Sequence, residues 1–367
     1  MNSFAGKSGA NERNSSIEFL RVIAMLFIVM SHACVHSNFD ISASAINFNK
    51  LFVQWGTLGN LGVDIYVLIS GYFLCQKKRE YRSILRLFLQ VWFYSVLLFL
   101  FSSIVLNYNY SVKALLGVIF PTIFQEYWFF TTYIILSLLM PYINVVLEKL
   151  GKHSLERLIC LMAILWIVIP TFTLQTMYGN ALLEFIMLYI IGAYFRMYPQ
   201  NILSTKSRRY CLLIISGFLL FLSTFVLDYL GKKNDMFSGK GIMFFERNSP
   251  LIVGIAVGLF TIAIYHKPFY NRFINILGAC TFGVYLIHDN PAIRKIIWID
   301  LFHNAEYFSS PLLPIRIIGC MLLVFSVSSL IEYIRISYIE KHLLGISYKL
   351  LDKASQLQKI YIFKKYQ

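Results

Sequence analysis

The stretch IEFLRVIAMLFIVMSHACVH, Ile17 to His36, is long enough to cross a bilayer as a helix, yet it holds a glutamate, an arginine and two histidines. At about 1.5 Å and about 100° per residue, Arg21 and His32 fall on one helix face with roughly 16 Å between them. Glu18, one turn before Arg21, and His36, one turn after His32, lengthen the same stripe. A face with those groups cannot point at lipid and must line a protein interior or a wet cavity.

Similar apolar runs recur along all 367 residues, of which 58% are apolar and 14% charged, with a mean hydropathy of +0.64. Core helices of soluble proteins are shorter and keep a polar face, so the fold class is an all-α polytopic membrane protein. Ten transmembrane spans are expected, near 17–36, 58–75, 84–106, 127–147, 156–176, 181–197, 209–229, 249–266, 273–290 and 311–335. A shorter apolar piece, Ala114 to Phe124, contains Pro121 and is too short to cross.

The formal charge of +15 would suggest nucleic acid in a soluble chain. Here the basic residues crowd alternate loops, from Lys77 to Arg86, Lys149 to Arg157 and Arg196 to Arg209, which places both termini in the cytoplasm and excludes a nucleic-acid partner. Three regions follow: a disordered cytoplasmic arm over 1–16, a ten-helix domain over 17–340, and a basic amphipathic tail over 341–367 that lies along the anionic lipids of the inner leaflet. The first span is read as a retained anchor. The six cysteines stand singly in apolar spans, so neither a disulfide framework nor a metal site is expected.

This topology sorts the intramembrane polar residues into two layers. His32, His36, Asp64, Glu126, Trp128, Glu184, Glu246, Arg247, His288 and Asp289 fall near the outer face. Glu18, Arg21, Arg79, Arg82, Arg86, Arg272, Glu332 and Arg335 fall near the inner face. Asp64 lies at the depth of His32, and a carboxylate on one imidazole nitrogen raises the basicity of the other, as a general base requires. The alternative is a histidine that only satisfies a helix-helix hydrogen bond. Arg79, Arg82 and Arg86, each a turn apart if helical, form a fork suited to phosphates, with ordinary positive-inside charge as the alternative. The pairing of Glu18 with Arg21 is read as structural, and Trp128, His288 and Asp289 as contacts for an acceptor.

These residues resemble the membrane acyltransferase-3 family, whose members include O-acetyltransferases of bacterial surface polysaccharides. Its first-helix signature, an arginine, ten residues and a histidine, is matched by Arg21 and His32, and its Arg-x-x-Arg motif by Arg79 and Arg82. NLGVDIYVLISGYFL (Asn60 to Leu74), YWFFTTYIILSLLMPYIN (Tyr127 to Asn144) and LGACTFGVYLIHDNP (Leu277 to Pro291) are similar to its second, fourth and ninth helices. The resemblance implies that His32 is the catalytic base, that the arginines hold an acyl-coenzyme A donor, commonly acetyl-CoA, and that the acceptor is a sugar hydroxyl on the far side. The expected protein is then a multi-pass O-acyltransferase of the bacterial cytoplasmic membrane acting on a polysaccharide or lipid-linked glycan. Two other readings stay open: a flippase for a lipid-linked glycan, with the histidines and acids as a proton relay, and an acyltransferase with a small-molecule acceptor.

Overall fold

The computed structural model describes residues 14–41, 46–77, 81–173 and 181–345. Among them no strand occurs. In chain order the helices are α1 (Ser15–Val35), α2 (Phe48–Gly56), α3 (Gly59–Leu74), α4 (Tyr81–Leu100), α5 (Val112–Ile119), α6 (Trp128–Lys149) and α7 (Lys152–Ala163). The remainder are α8 (Ile169–Thr173), α9 (Ala181–Met197), α10 (Lys206–Gly231), α11 (Pro250–Ile264), α12 (Arg272–His288), α13 (Pro291–Lys295) and α14 (Leu313–Ile334), the last continued by a π turn over Arg335–Ile339.

A described helix overlaps each of the ten stretches expected to span, residues 174–176 of the fifth lying outside the described residues. Seven are long and apolar enough to cross a membrane, with α2 and α3 running together as Phe48–Leu74, and α7 and α8 as Lys152–Thr173. The other three, α9, α11 and α12, are 17, 15 and 17 residues long. The short piece after α4 forms the eight-residue α5, closed by a turn at Pro121. Residues 346–367, which hold most of the expected basic tail, and residues 1–13 of the expected amino-terminal arm lie outside the described residues. The first helix starts at Ser15, two residues before the apolar run, because the Asn14 side chain accepts the Ser16 N–H at 3.0 Å and caps it. Asn271 and Asn290 cap α12 and α13 in the same way, the latter with Pro291 in the first turn. Capping matters more here than in water, because a stranded backbone donor at membrane depth finds no solvent.

The first helix sits inside the bundle, packed against α3, α11, α12 and α14. Lipid-facing helices gain little from apolar burial against one another, so close backbone approach supplies the attraction. Two glycines make that approach possible between α3 and α9: a Cβ on Gly71 would collide with the Tyr189 carbonyl, and one on Gly192 with the Leu68 carbonyl. Polar ties then fix rotation. Asn144 of α6 donates to the Leu74 carbonyl at 2.9 Å and accepts from the Tyr189 hydroxyl at 2.8 Å, and Tyr66 of α3 donates to the Arg21 carbonyl at 2.8 Å.

Replacing Gly71 or Gly192 by valine is expected to lower the thermal midpoint of the detergent-solubilised protein, since overpacking costs about 1–3 kcal/mol. Gly319→Ala, inside α14 where an added Cβ meets nothing within 4 Å, keeps or slightly raises the midpoint. Equal midpoints for all three, measured by fluorescence-detected size exclusion after heating, would contradict the glycine contact.

Candidate active site

A single cavity of about 1720 Å³ runs beside α1, lined by residues from Arg21 at one end of the helix to His36 at the other. Its end at the start of α1 is strongly cationic, with Arg21, Lys77, Arg86, Arg272, Arg335 and Lys341 in the wall and Glu332 and Glu340 among them. Its middle is aromatic, formed by Tyr66, Phe129, Tyr133, Phe282 and Tyr285. Its far end gathers His32, His36, Asn60, Trp128, Asp289 and Arg294.

At the cationic end Arg21 reaches back one turn and donates to both Glu18 oxygens, at 3.0 and 3.3 Å. Glu18 is buried, with Gly278 of α12 pressed against its side chain, so this pair both neutralises a buried carboxylate and sets the guanidinium at the cavity wall. A second network closes the floor. Glu332 of α14 accepts from Arg335 at 2.8 Å on each oxygen, from Gln90 at 2.9 Å and from Tyr94 at 2.6 Å. Arg335 also donates to Glu340 at 2.7 Å, and the other Glu340 oxygen is held by Arg86. Of the expected arginine fork, Arg86 alone lines the cavity among the described members. Arg82 is exposed outside it, and Arg79 lies outside the described residues.

At the other end His32 meets His288, which caps the same face from α12, with Nδ1 and Nε2 2.9 Å apart. The partners fix the protons. His288 Nδ1 lies 2.6 Å from the Val284 carbonyl, which can only accept, so that nitrogen carries a hydrogen. With His288 as the neutral imidazole, its Nε2 is bare and accepts from His32 Nδ1–H. The lone pair of His32 is thereby assigned to Nε2. Asp289, one residue beyond His288, places Oδ1 3.6 Å from His32 Nδ1 and 3.9 Å from His36 Nε2, and accepts from Arg294 at 3.3 Å.

Asp64 is not part of this group, contrary to the pairing inferred from depth alone. It is fully buried on α3, its carboxylate makes no hydrogen bond among the described residues, and its charged neighbours are Glu184 and Arg247. Span depth matched the two residues, but α3 is turned so that Val63 and Asn60 face the cavity and Asp64 does not. The carboxylate beside His32 is Asp289. Trp128 lies on the cavity wall with the Arg247 guanidinium 4.5 Å over its ring, and Arg247 in turn donates to Glu184 at 3.0 Å.

Sequence reasoning missed Arg294, Lys77 and Glu340 as cavity residues. Arg294 had a usable trace: it is a basic residue in a loop where charge bias predicts few, five positions from the acid it pairs with. Glu340 had none, because it reaches the cavity only through the π turn that re-aims the chain after α14.

What the arrangement offers chemically is a cationic pocket for an anionic group, an aromatic passage, and an oriented imidazole with a bare Nε2 backed by a carboxylate. Comparison with curated proteins and with solved structures returns no match. A family model described as an acyltransferase domain matches residues 14–333, a stretch that begins at the cap of α1, ends one residue before the end of α14, and holds all of the cavity lining except the residues from Arg335 onward. The chain therefore belongs to the acyltransferase-3 family and is a membrane acyltransferase.

Proposed function

We propose that the chain transfers an acyl group, acetyl in the simplest case, from cytoplasmic acyl-CoA to a hydroxyl of a cell-surface or lipid-linked polysaccharide, from the bacterial cytoplasmic membrane with both termini inside. The observation that carries this reading is one cavity with guanidiniums at the start of α1 and an oriented imidazole at its end. Arg21, Arg86 and Arg272 would hold the donor's phosphates through charge-assisted hydrogen bonds, with Arg86 exchanging Glu340 for phosphate. The pantetheine arm then extends past Tyr66, Phe129 and Tyr285, bringing the thioester to His32.

His32 Nε2 takes the proton of the acceptor hydroxyl as that oxygen attacks the thioester carbonyl carbon. Collapse of the tetrahedral intermediate breaks the carbon–sulfur bond, forms the ester, and returns the proton from His32 to the leaving thiolate. His288 holds the ring in the tautomer that this step needs, and Asp289 stabilises the imidazolium formed midway. Trp128 and Arg294 would meet the acceptor at the outer mouth.

His32→Ala is expected to lower acyl transfer in proteoliposomes by about 10²–10⁴-fold with protein abundance retained, the range for a lost general base. In cells the same variant strips acyl groups from surface glycan while glycan export continues. Lost export with normal acylation of the remaining glycan would instead favour a flippase.

Arg272→Gln is expected to raise the KM for acyl-CoA about tenfold with kcat nearly constant, the effect of one lost charge-assisted contact to a phosphate. An unchanged KM would place the donor elsewhere.

A further inference from the structure

His32 and His36 stand one turn apart on α1, with ring centroids 5.1 Å apart. Asp289 reaches them from the end of α12, with Oδ1 3.6 Å from one ring nitrogen and 3.9 Å from the other. One ligand atom from each of the three lies within 4.8 Å of the others, and all three side chains line the cavity. Two imidazoles and a carboxylate are the donor set of borderline divalent metals, zinc foremost, and two histidines at i and i+4 are how one helix face presents a pair of ligands. Zinc bonds of about 2.0–2.2 Å separate tetrahedral ligand atoms by about 3.3–3.6 Å, so small side-chain rotations close the site. All three side chains line the cavity, so an ion held by them would keep a side toward it for water.

Two groups compete with a metal here. Arg294 donates to Asp289 at 3.3 Å, but its side chain is 40% exposed and can turn into solvent at small cost. His288 accepts from His32 Nδ1, and that bond decides what an ion would do to the base.

We propose that His32, His36 and Asp289 form a divalent transition-metal site fitted to Zn²⁺, and that occupying it switches acyl transfer off. The inhibitory half rests on the reading of His32 as the base; the site itself does not. If the ion takes His32 Nε2, the lone pair that abstracts the hydroxyl proton is consumed. If it takes Nδ1, the ring proton moves to Nε2 and the contact with His288 is lost. Either way the imidazole no longer accepts a proton at the atom facing the acceptor. His36 takes no part in the acyl-transfer step, so it separates metal sensitivity from activity.

The test uses the full chain, purified in detergent and stripped with EDTA. Calorimetry with Zn²⁺ and visible absorption with Co²⁺ report binding without reference to activity. One saturable Zn²⁺ per chain is expected, with affinity at least about tenfold weaker in His36→Gln, since even residues that only support ligands cost that much. In the transfer assay Zn²⁺ inhibits the wild type, EDTA restores the rate, and His36→Gln keeps the basal rate while its half-inhibiting concentration rises by the same factor. Should that variant misfold, Zn²⁺ is expected to protect His32 and His36 of the wild-type chain from diethylpyrocarbonate, read by peptide mass spectrometry. No saturable binding, equal affinity in His36→Gln, absent protection, or activation by Zn²⁺ would overturn the proposal. A chain that binds Zn²⁺ through His36 yet transfers no acyl group would keep the site and sink the acyl-transfer reading. Acyl transfer without Zn²⁺ binding would do the reverse.

Discussion

The hydrogen bond between His32 and His288 ties α1 to α12 across 256 residues of chain and orients the imidazole at the end of the cavity. It forms because polar groups at membrane depth have no water to turn to, so each must find a partner within the bundle. The Val284 carbonyl fixes the tautomer of His288, and His288 fixes that of His32. A packing bond thus also fixes which nitrogen carries the lone pair. Loss of His288 would leave His32 free to donate from either nitrogen.

The opposite end obeys the same constraint with charges. Glu18 and Glu332 are buried, and each is held by an arginine three residues along its own chain, Arg21 and Arg335. Arg335 and Glu332 are both buried, and breaking such a pair costs about 3–5 kcal/mol; Arg21, half-buried at the cavity wall, is held by both oxygens of buried Glu18. Arg86 is different. Its side chain is 56% exposed and its acidic partner, Glu340, lies past the π turn, so the pair can open where the Glu332 pair cannot. The cationic end therefore combines fixed positive charge with one carboxylate that a phosphate can displace.

How much of this could be read from residues alone follows from what spacing encodes. Spacing within one helix is faithful, so Glu18, Arg21, His32 and His36 share a face and all but the buried Glu18 line the cavity. Depth across helices is also readable, which is why His288 and Asp289 fall at the level of His32. Rotation of one helix about its own axis is not, and Asp64 shows the consequence: right depth, wrong face. The same limit separates Arg86 from Arg82, which charge alone cannot tell apart. Arg294 stands on the short helix α13, and its approach to Asp289 depends on the turn at Asn290 and Pro291, where Asn290 donates to the Tyr127 hydroxyl at 2.6 Å.

On the proposed function, donor and acceptor meet inside one cavity, from opposite ends of α1. The most direct measurement is a cryo-electron microscopy structure of the chain in lipid nanodiscs with a non-transferable thioether analogue of acetyl-CoA. Phosphate density is expected against Arg21, Arg86 and Arg272, with Glu340 released from Arg86, and the acyl end beside His32 Nε2. An analogue bound outside the cavity, or one whose acyl end stops short of His32 behind Tyr66 and Tyr285, would contradict it.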